Sequence, residues 1–226
     1  MALPAQVTTH EETTTMETER LQAVRRMVVK QRLRLTVNQY EISAPGDNDN
    51  DNNGNNGNNG DDDGELIAFV QQKRLALRER VTFWTDSSRA TVLGGFAHRD
   101  VIDLGGVYDV TDADGGTLGH FRRNLRKSLF RTTWHLEQPG LGTLVGTERS
   151  GRVAALRRIW AFVPFADELP VGWAYHFDFQ LDGAPALSVT RARTLRDRYR
   201  VEIHEPRLDR RLVIAMAVAL DAMQSR

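Results

Sequence analysis

Five cations crowd into ten residues of this chain: Arg122, Arg123, Arg126, Lys127 and Arg131, with Phe121, Leu125, Leu129 and Phe130 set between them. Guanidinium and ammonium groups at this density suit a phosphate headgroup, and the interleaved apolar side chains suit the boundary between water and lipid. The same pattern also describes a solvated hairpin with charged outer positions. A second basic set, Arg191, Arg193, Arg196, Arg198 and Arg200, alternates along late strands and is expected to coat the outside of a sheet.

No other group of residues has the spacing of a catalytic or metal site. His10, His98, His120, His135, His176 and His204 stand singly, without the i, i+4 or paired spacing of zinc ligands, so no metal is expected. Gly140, Gly142 and Gly146 miss the dinucleotide fingerprint by one residue and lack a β-α-β setting, which leaves a glycine-rich turn and no cofactor. Neither a G-x-S-x-G elbow nor a G-x-x-x-x-G-K-[ST] loop occurs. Asp109, Asp112 and Asp114 with Gly115 imitate part of a calcium loop, yet His120, Phe121, Arg122 and Arg123 stand where a closing glutamate belongs; a hairpin turn is the expectation. Asp167 and Glu168, between Pro164 and Pro170, read as an exposed loop. No catalytic residue is assigned.

The elements that must carry these residues follow from periodicity. Val29, Gln31, Leu33, Leu35 and Val37 alternate with Lys30, Arg32 and Arg34, the pattern of a half-buried strand. Strand-like runs at Leu33 to Ile42 and Leu66 to Leu77 flank residues 47–63, which are only Asp, Asn and Gly. With no apolar surface to bury, that segment is expected to be a disordered loop that expands a hairpin turn. Further strands are expected at Arg80 to Thr85, Thr91 to Ala97, Val101 to Val110, Thr117 to Arg122, Leu129 to Leu136, Val153 to Val163, Ala174 to Leu181, Ala186 to Thr194 and Tyr199 to His204. Turn signals at Asp112 to Gly116 and at Asp182-Gly183 separate some of them. Many short strands with hairpin turns point to an antiparallel sandwich or barrel.

The final segment differs. Leu212 to Leu220 reads LVIAMAVAL, apolar on every face, with Asp209 before it as an anionic partner for a helix N-terminus. A helix needs about 20 apolar residues to cross a bilayer, so this shorter one must be buried in protein. Ala215, Ala217 and Ala219 keep it thin, and Leu212, Met216 and Leu220 make one bulky ridge, as suits a helix threaded through a closed sheet.

Composition sets the remaining bounds. The 226 residues contain no cysteine, so the fold rests on burial without disulfides or thiolate metal sites. The opening residues lack a basic n-region and an apolar h-region; no secretory signal is expected, and a cytoplasmic protein is the simplest expectation. Residues 1–65 hold 12 Asp and Glu against 6 Lys and Arg, and the remainder is correspondingly basic, enough to attract an anionic surface but too sparse for a dedicated nucleic-acid binder. Residues 1–26, rich in Thr and Glu, are expected to be a mobile tail with a short helix near Thr18 to Arg26.

Several blocks carry a resemblance: Val29-Lys30-Gln31, Tyr40-Glu41-Ile42, the stretch Leu104 to Gly115 (LGGVYDVTDADG), Ser128 to Trp134 (SLFRTTW) and Leu208 to Ala215 (LDRRLVIA). In this order, and closed by the apolar helix, they resemble the LURP-one-related proteins of the tubby C-terminal-like superfamily, which includes the phospholipid scramblases. The likeness spans about residues 27–224. It implies a twelve-stranded antiparallel barrel around a buried C-terminal helix, with residues 47–63 replacing a short turn. Tubby proteins bind phosphoinositides and scramblases act on phospholipids. The expectations for function are therefore a non-catalytic barrel that docks peripherally on anionic phospholipid or phosphorylated groups through Arg122, Arg123, Arg126, Lys127 and Arg131; a protein-interaction or scaffold module; or an enzyme with an unrecognised pocket.

Overall fold

The structure is a computed structural model and describes residues 15–33, 37–45, 64–73, 80–99, 106–124, 133–149, 176–191 and 198–224. Twelve strands are formed: β1 Arg26–Leu33, β2 Val37–Ala44, β3 Glu65–Lys73, β4 Val81–Trp84, β5 Val92–His98, β6 Val107–Asp112, β7 Thr117–Asn124, β8 Thr133–Gln138, β9 Gly142–Glu148, β10 His176–Leu181, β11 Ala184–Arg191 and β12 Arg198–Ile203. Each pairs antiparallel with its sequence neighbours, and β12 returns to β1, with Met27 opposite Val201. The sheet is thus a closed barrel without free edges, as the resemblance implies.

A barrel of eight strands is filled by its own side chains, and a wider one must enclose something else. Here the helix Arg210–Gln224 fills the space. At 1.5 Å per residue its 15 residues extend roughly 22 Å, about the height of the wall. Leu212 to Ala219 are at most 1% exposed, so every face of the helix is covered. The inward side chains of the strands meet it: Tyr40, Val70, Phe83, Phe96, Val110, Phe121, Trp134 and Phe177 are all buried. Phe121 stacks on Tyr108 at 5.0 Å and meets Phe96 edge-on at 5.4 Å. Gly119 allows close approach of the neighbouring strand, because a Cβ there would lie 2.2 Å from the Glu137 carbonyl oxygen, and it also leaves room for Leu212 of the helix, whose Cδ1 would be 3.2 Å away.

The helix is fastened at both ends. At its N-terminus the Asp209 carboxylate accepts a hydrogen bond from the Arg211 backbone N–H at 2.8 Å, which makes it the N-cap expected from its position. Burial works to raise the Asp209 carboxyl pKa, but hydrogen bonds from Arg211 and Gln22 outweigh it and hold the group below its ordinary value. Arg210, 2% exposed, donates to the carbonyls of Val24, Pro206 and Leu208, and burial lowers its guanidinium pKa. At the other end Asp221 accepts hydrogen bonds from the hydroxyls of Tyr40, at 2.8 Å, and Tyr199.

Four local readings change. The alternation from Val29 to Val37 is two strands, because β1 ends at Leu33 and β2 pairs back onto it with Leu33 opposite Asn38. Arg34-Leu35-Thr36 contains no turn-forming residue, so periodicity runs straight through the reversal. Gly140 lies in a turn, but Gly142 and Gly146 belong to strand β9. Gly146 is required there because a Cβ would sit 2.3 Å from the Phe179 ring. Residues 15–23 are helical, and Leu21, 2% exposed, joins the barrel core, so packing begins before Met27. Arg191 is opposite buried Tyr199, with its guanidinium 5.9 Å from the ring centroid, so alternation carries it to the inner side and leaves Arg198 and Arg200 on the outer wall.

The expected strand at Val153 to Val163 lies outside the described residues, as do residues 1–14 and 47–63. The strands that flank the latter are hydrogen-bonded to their ends, Ala44 opposite Glu65, so residues 47–63 connect a hairpin. Replacing them with a two-residue turn is expected to leave the melting temperature unchanged or slightly raised, because loop closure costs only about 0.6 kcal/mol per doubling of length. Thermal unfolding followed by circular dichroism checks this; a loss of several degrees would show that the segment braces the barrel.

Candidate functional site

The basic cluster divides. Arg122 and Arg123 are consecutive on β7, so they face opposite sides of the wall. Arg122 is exposed. Arg123 is half-buried, opposite Trp134, on the side from which buried Phe121 enters the core. Phe121 therefore serves the barrel and is unavailable to an interface. Arg126, Lys127 and Arg131 fall between β7 and β8, outside the described residues, together with Leu125, Leu129 and Phe130.

Other rim cations are already engaged, in a pattern that repeats every fourth strand. Arg32 of β1 reaches Glu41 of β2 at 2.8 Å. Arg99, just after β5, forks onto Asp109 of β6 at 2.8 and 2.5 Å. Arg149, just after β9, does the same to Asp178 of β10 at 2.7 Å for both bonds. In each case the acid stands two residues beyond the one opposite the arginine. The arginine hydrogen bonds are the main reason that the Asp109 and Asp178 carboxyls are held below their ordinary pKa. Arg122 has no such partner among the described residues.

The remaining chemistry is local. Asp112 accepts the backbone N–H groups of Asp114 and Gly116 at 3.1 and 2.6 Å, so its carboxylate closes the expected hairpin turn. Asp182 and Gly183 both have positive φ, 49° and 85°, as the Asp-Gly turn requires. His98 packs edge-on to Tyr108, His120 approaches Glu137 at 3.4 Å, and His135 approaches Asn124 at the same distance. Among the described residues no three His, Asp or Glu gather as metal ligands. Ser188 donates to Asp178 at 3.1 Å and lies 3.4 Å from His204, which places the serine between acid and histidine. A nucleophilic triad needs the histidine in the middle, and Asp178 is already bound by Arg149, so this row does not activate Ser188.

The connections that join the strands at the two ends differ in composition. Connections 45–64, 85–91, 113–116, 139–141, 182–183 and 204–209 leave strand ends beside the N-terminus of the central helix; they contain eleven acidic residues and two basic ones. Connections 34–36, 74–80, 99–106, 125–132, 149–175 and 192–197 leave the opposite strand ends and contain fourteen basic residues and six acidic ones. Arg122 and Arg123 approach this basic end near the end of β7, and Arg126, Lys127 and Arg131 belong to one of its connections. The segregation follows from the antiparallel pairing of successive strands, which sends every second connection from the same end of the barrel.

A closed twelve-stranded antiparallel barrel threaded by an apolar C-terminal helix defines the class of protein. A model of the LURP-one-related family matches residues 66–221, and the chain belongs to that family. The tubby-like and scramblase setting of the resemblance agrees with this membership. A search of curated proteins and a search of solved structures found no match.

Proposed function

We propose that this LURP-one-related barrel acts without catalysis, docking on anionic phospholipid with its basic end towards the surface. The observation that supports this reading is the opposite net charge of the two sets of connections. An electrical asymmetry along the barrel axis orients the molecule as it approaches a negative surface, and it repels the acidic end. Each cation near such a surface contributes about 1 kcal/mol, screened over ~8 Å at physiological salt. Contact is peripheral in this reading: the apolar helix is committed to the core, and no helix among the described residues is long and apolar enough to cross a membrane.

Co-sedimentation with vesicles tests the proposal. Binding is expected to vesicles containing phosphatidylserine and not to neutral phosphatidylcholine vesicles, and to weaken steeply as salt rises. Reversing charge at Arg122 and Arg126 should weaken it by about 2–4 kcal/mol, since each reversal removes one favourable contribution and adds a repulsive one. Arg123 is kept unchanged because it stands opposite Trp134 on the inner side. Equal binding to neutral vesicles, or none to anionic vesicles at low salt, would overturn the proposal in favour of a protein-interaction module.

A further inference from the structure

The outer wall of β1 to β3 carries a cleft of about 320 Å³. Phe69 shares its register with Glu41 and Trp84, the outward set, whereas Val70, level with Tyr40 and Phe83, faces the core. Phe69 is nonetheless only 4% exposed, which is unusual for an outward residue of a solvated wall. Trp84 packs beside it at 6.3 Å, and the 85–91 connection contributes Ser87 and Arg89 to the cleft.

That connection is held by its own hydrogen bonds. Asp86 accepts the Ser88 N–H at 2.7 Å with its side chain and the Arg89 N–H at 3.2 Å with its carbonyl. Arg89 has φ of 61°, a left-handed conformation that glycine would adopt without steric cost. A side chain is kept there against that cost, and it lines the cleft. Across from it stand Arg32, ion-paired to Glu41 at 2.8 Å, and the carboxamides Gln39 and Gln71. Gln39 donates to Gln71 at 3.2 Å, which leaves the Gln39 oxygen as an acceptor and the Gln71 amide as a donor.

Among the described residues, two guanidinium groups against one carboxylate leave one net positive charge, which a monoanion neutralises and a dianion would exceed beside Glu41. Paired amides and the Ser87 hydroxyl offer both donors and acceptors, suited to hydroxyl groups, and the volume is that of a small-metabolite site. We propose that this cleft binds a hydroxylated monocarboxylate of the sugar-acid class, with its carboxylate on Arg89 and its hydroxyls on Gln39, Gln71 and Ser87. The site is separate from the membrane reading and stands or falls without it.

Nuclear magnetic resonance titration of the full chain with gluconate, glucuronate, glucose, acetate and glucose 6-phosphate tests it. Gluconate or glucuronate should shift the backbone signals of residues 87–89 and the side-chain amides of Gln39 and Gln71, with glucose and acetate weaker by about tenfold or more. Arg89→Gly, which relieves the positive φ and so preserves the fold, should weaken sugar-acid binding by about tenfold or more. Arg122→Glu should leave it unchanged. Absence of these shifts with both acids, tighter binding of glucose 6-phosphate, sugar-acid affinity retained in Arg89→Gly, or affinity lost in Arg122→Glu would each overturn the assignment.

Discussion

An aspartate at Met216 is expected to abolish folding of the barrel. Met216 is 0% exposed at the middle of the central helix, with buried residues on either side of it from Leu212 to Leu220. A carboxylate there would have neither water nor a partner, and burying it costs several kcal/mol, comparable with the ~5–15 kcal/mol that stabilises a whole domain. Met216→Leu, close in volume, should cost less than about 1.5 kcal/mol and serves as the control. Urea unfolding followed by circular dichroism compares the two. A soluble Met216→Asp protein with a cooperative transition near that of the parent would show that the helix is not the core.

The second large effect is expected at Asp221, one turn from the end of the same helix. It is 3% exposed, yet it sits at the end of a run of apolar residues, held by the hydroxyls of Tyr40 and Tyr199. Burial, reinforced by the neighbouring Asp221 carboxylate, pushes the Tyr40 phenol far above its ordinary pKa, so it remains a proton donor throughout the range in which proteins fold. Tyr40 in turn accepts a hydrogen bond from Gln31 at 3.3 Å, which ties β1, β2, β12 and the helix into one buried network. Asp221→Ala leaves both hydroxyls without their acceptor. Hydrogen bonds to charged groups contribute about 1.5–3 kcal/mol each, so a loss of roughly 3–6 kcal/mol is expected. Tyr40→Phe and Tyr199→Phe should each cost about half as much, and the double variant should depart from additivity because the two share one carboxylate. An Asp221→Ala protein within about 0.5 kcal/mol of the parent would mean that the network does not fasten the helix.

Much of the fold is legible in periodicity because side chains alternate across a strand and one face must be buried. Eleven of the twelve strands overlap an alternating or turn-bounded run of the sequence. Strand β9 does not read as one, because Gly142 and Gly146 imitate a loop; the space for Phe179 that makes Gly146 necessary belongs to a residue 33 positions away in the chain. The docking of the N-terminal helix is likewise hidden: a helix is legible near Thr18, but its composition is that of a tail, and only the packing of Leu21 and the bond from Gln22 to Asp209 tie it to the barrel. In the basic cluster the density of cations is visible, but one strand sends Arg122 outward and Arg123 inward, and closeness in sequence does not reveal which arginines are neutralised by acids on the next strand.

The amino-acid sequence by itself determined that the C-terminal segment is a buried helix, since nine apolar residues in succession have no water-facing side, and that antiparallel hairpins surround it. It also determined both Asp-Gly turns, through the backbone conformations those residues favour. Only the tertiary structure decided the charge at the two ends. The whole chain has a formal net charge of zero, and it is the antiparallel pairing of successive strands that divides the acidic and basic connections between opposite ends. The cleft beside Phe69 arises in the same way: Arg32, Gln71 and Arg89 share no motif in sequence and are brought together by strand register and by one left-handed residue, information carried in long-range pairing and absent from local spacing.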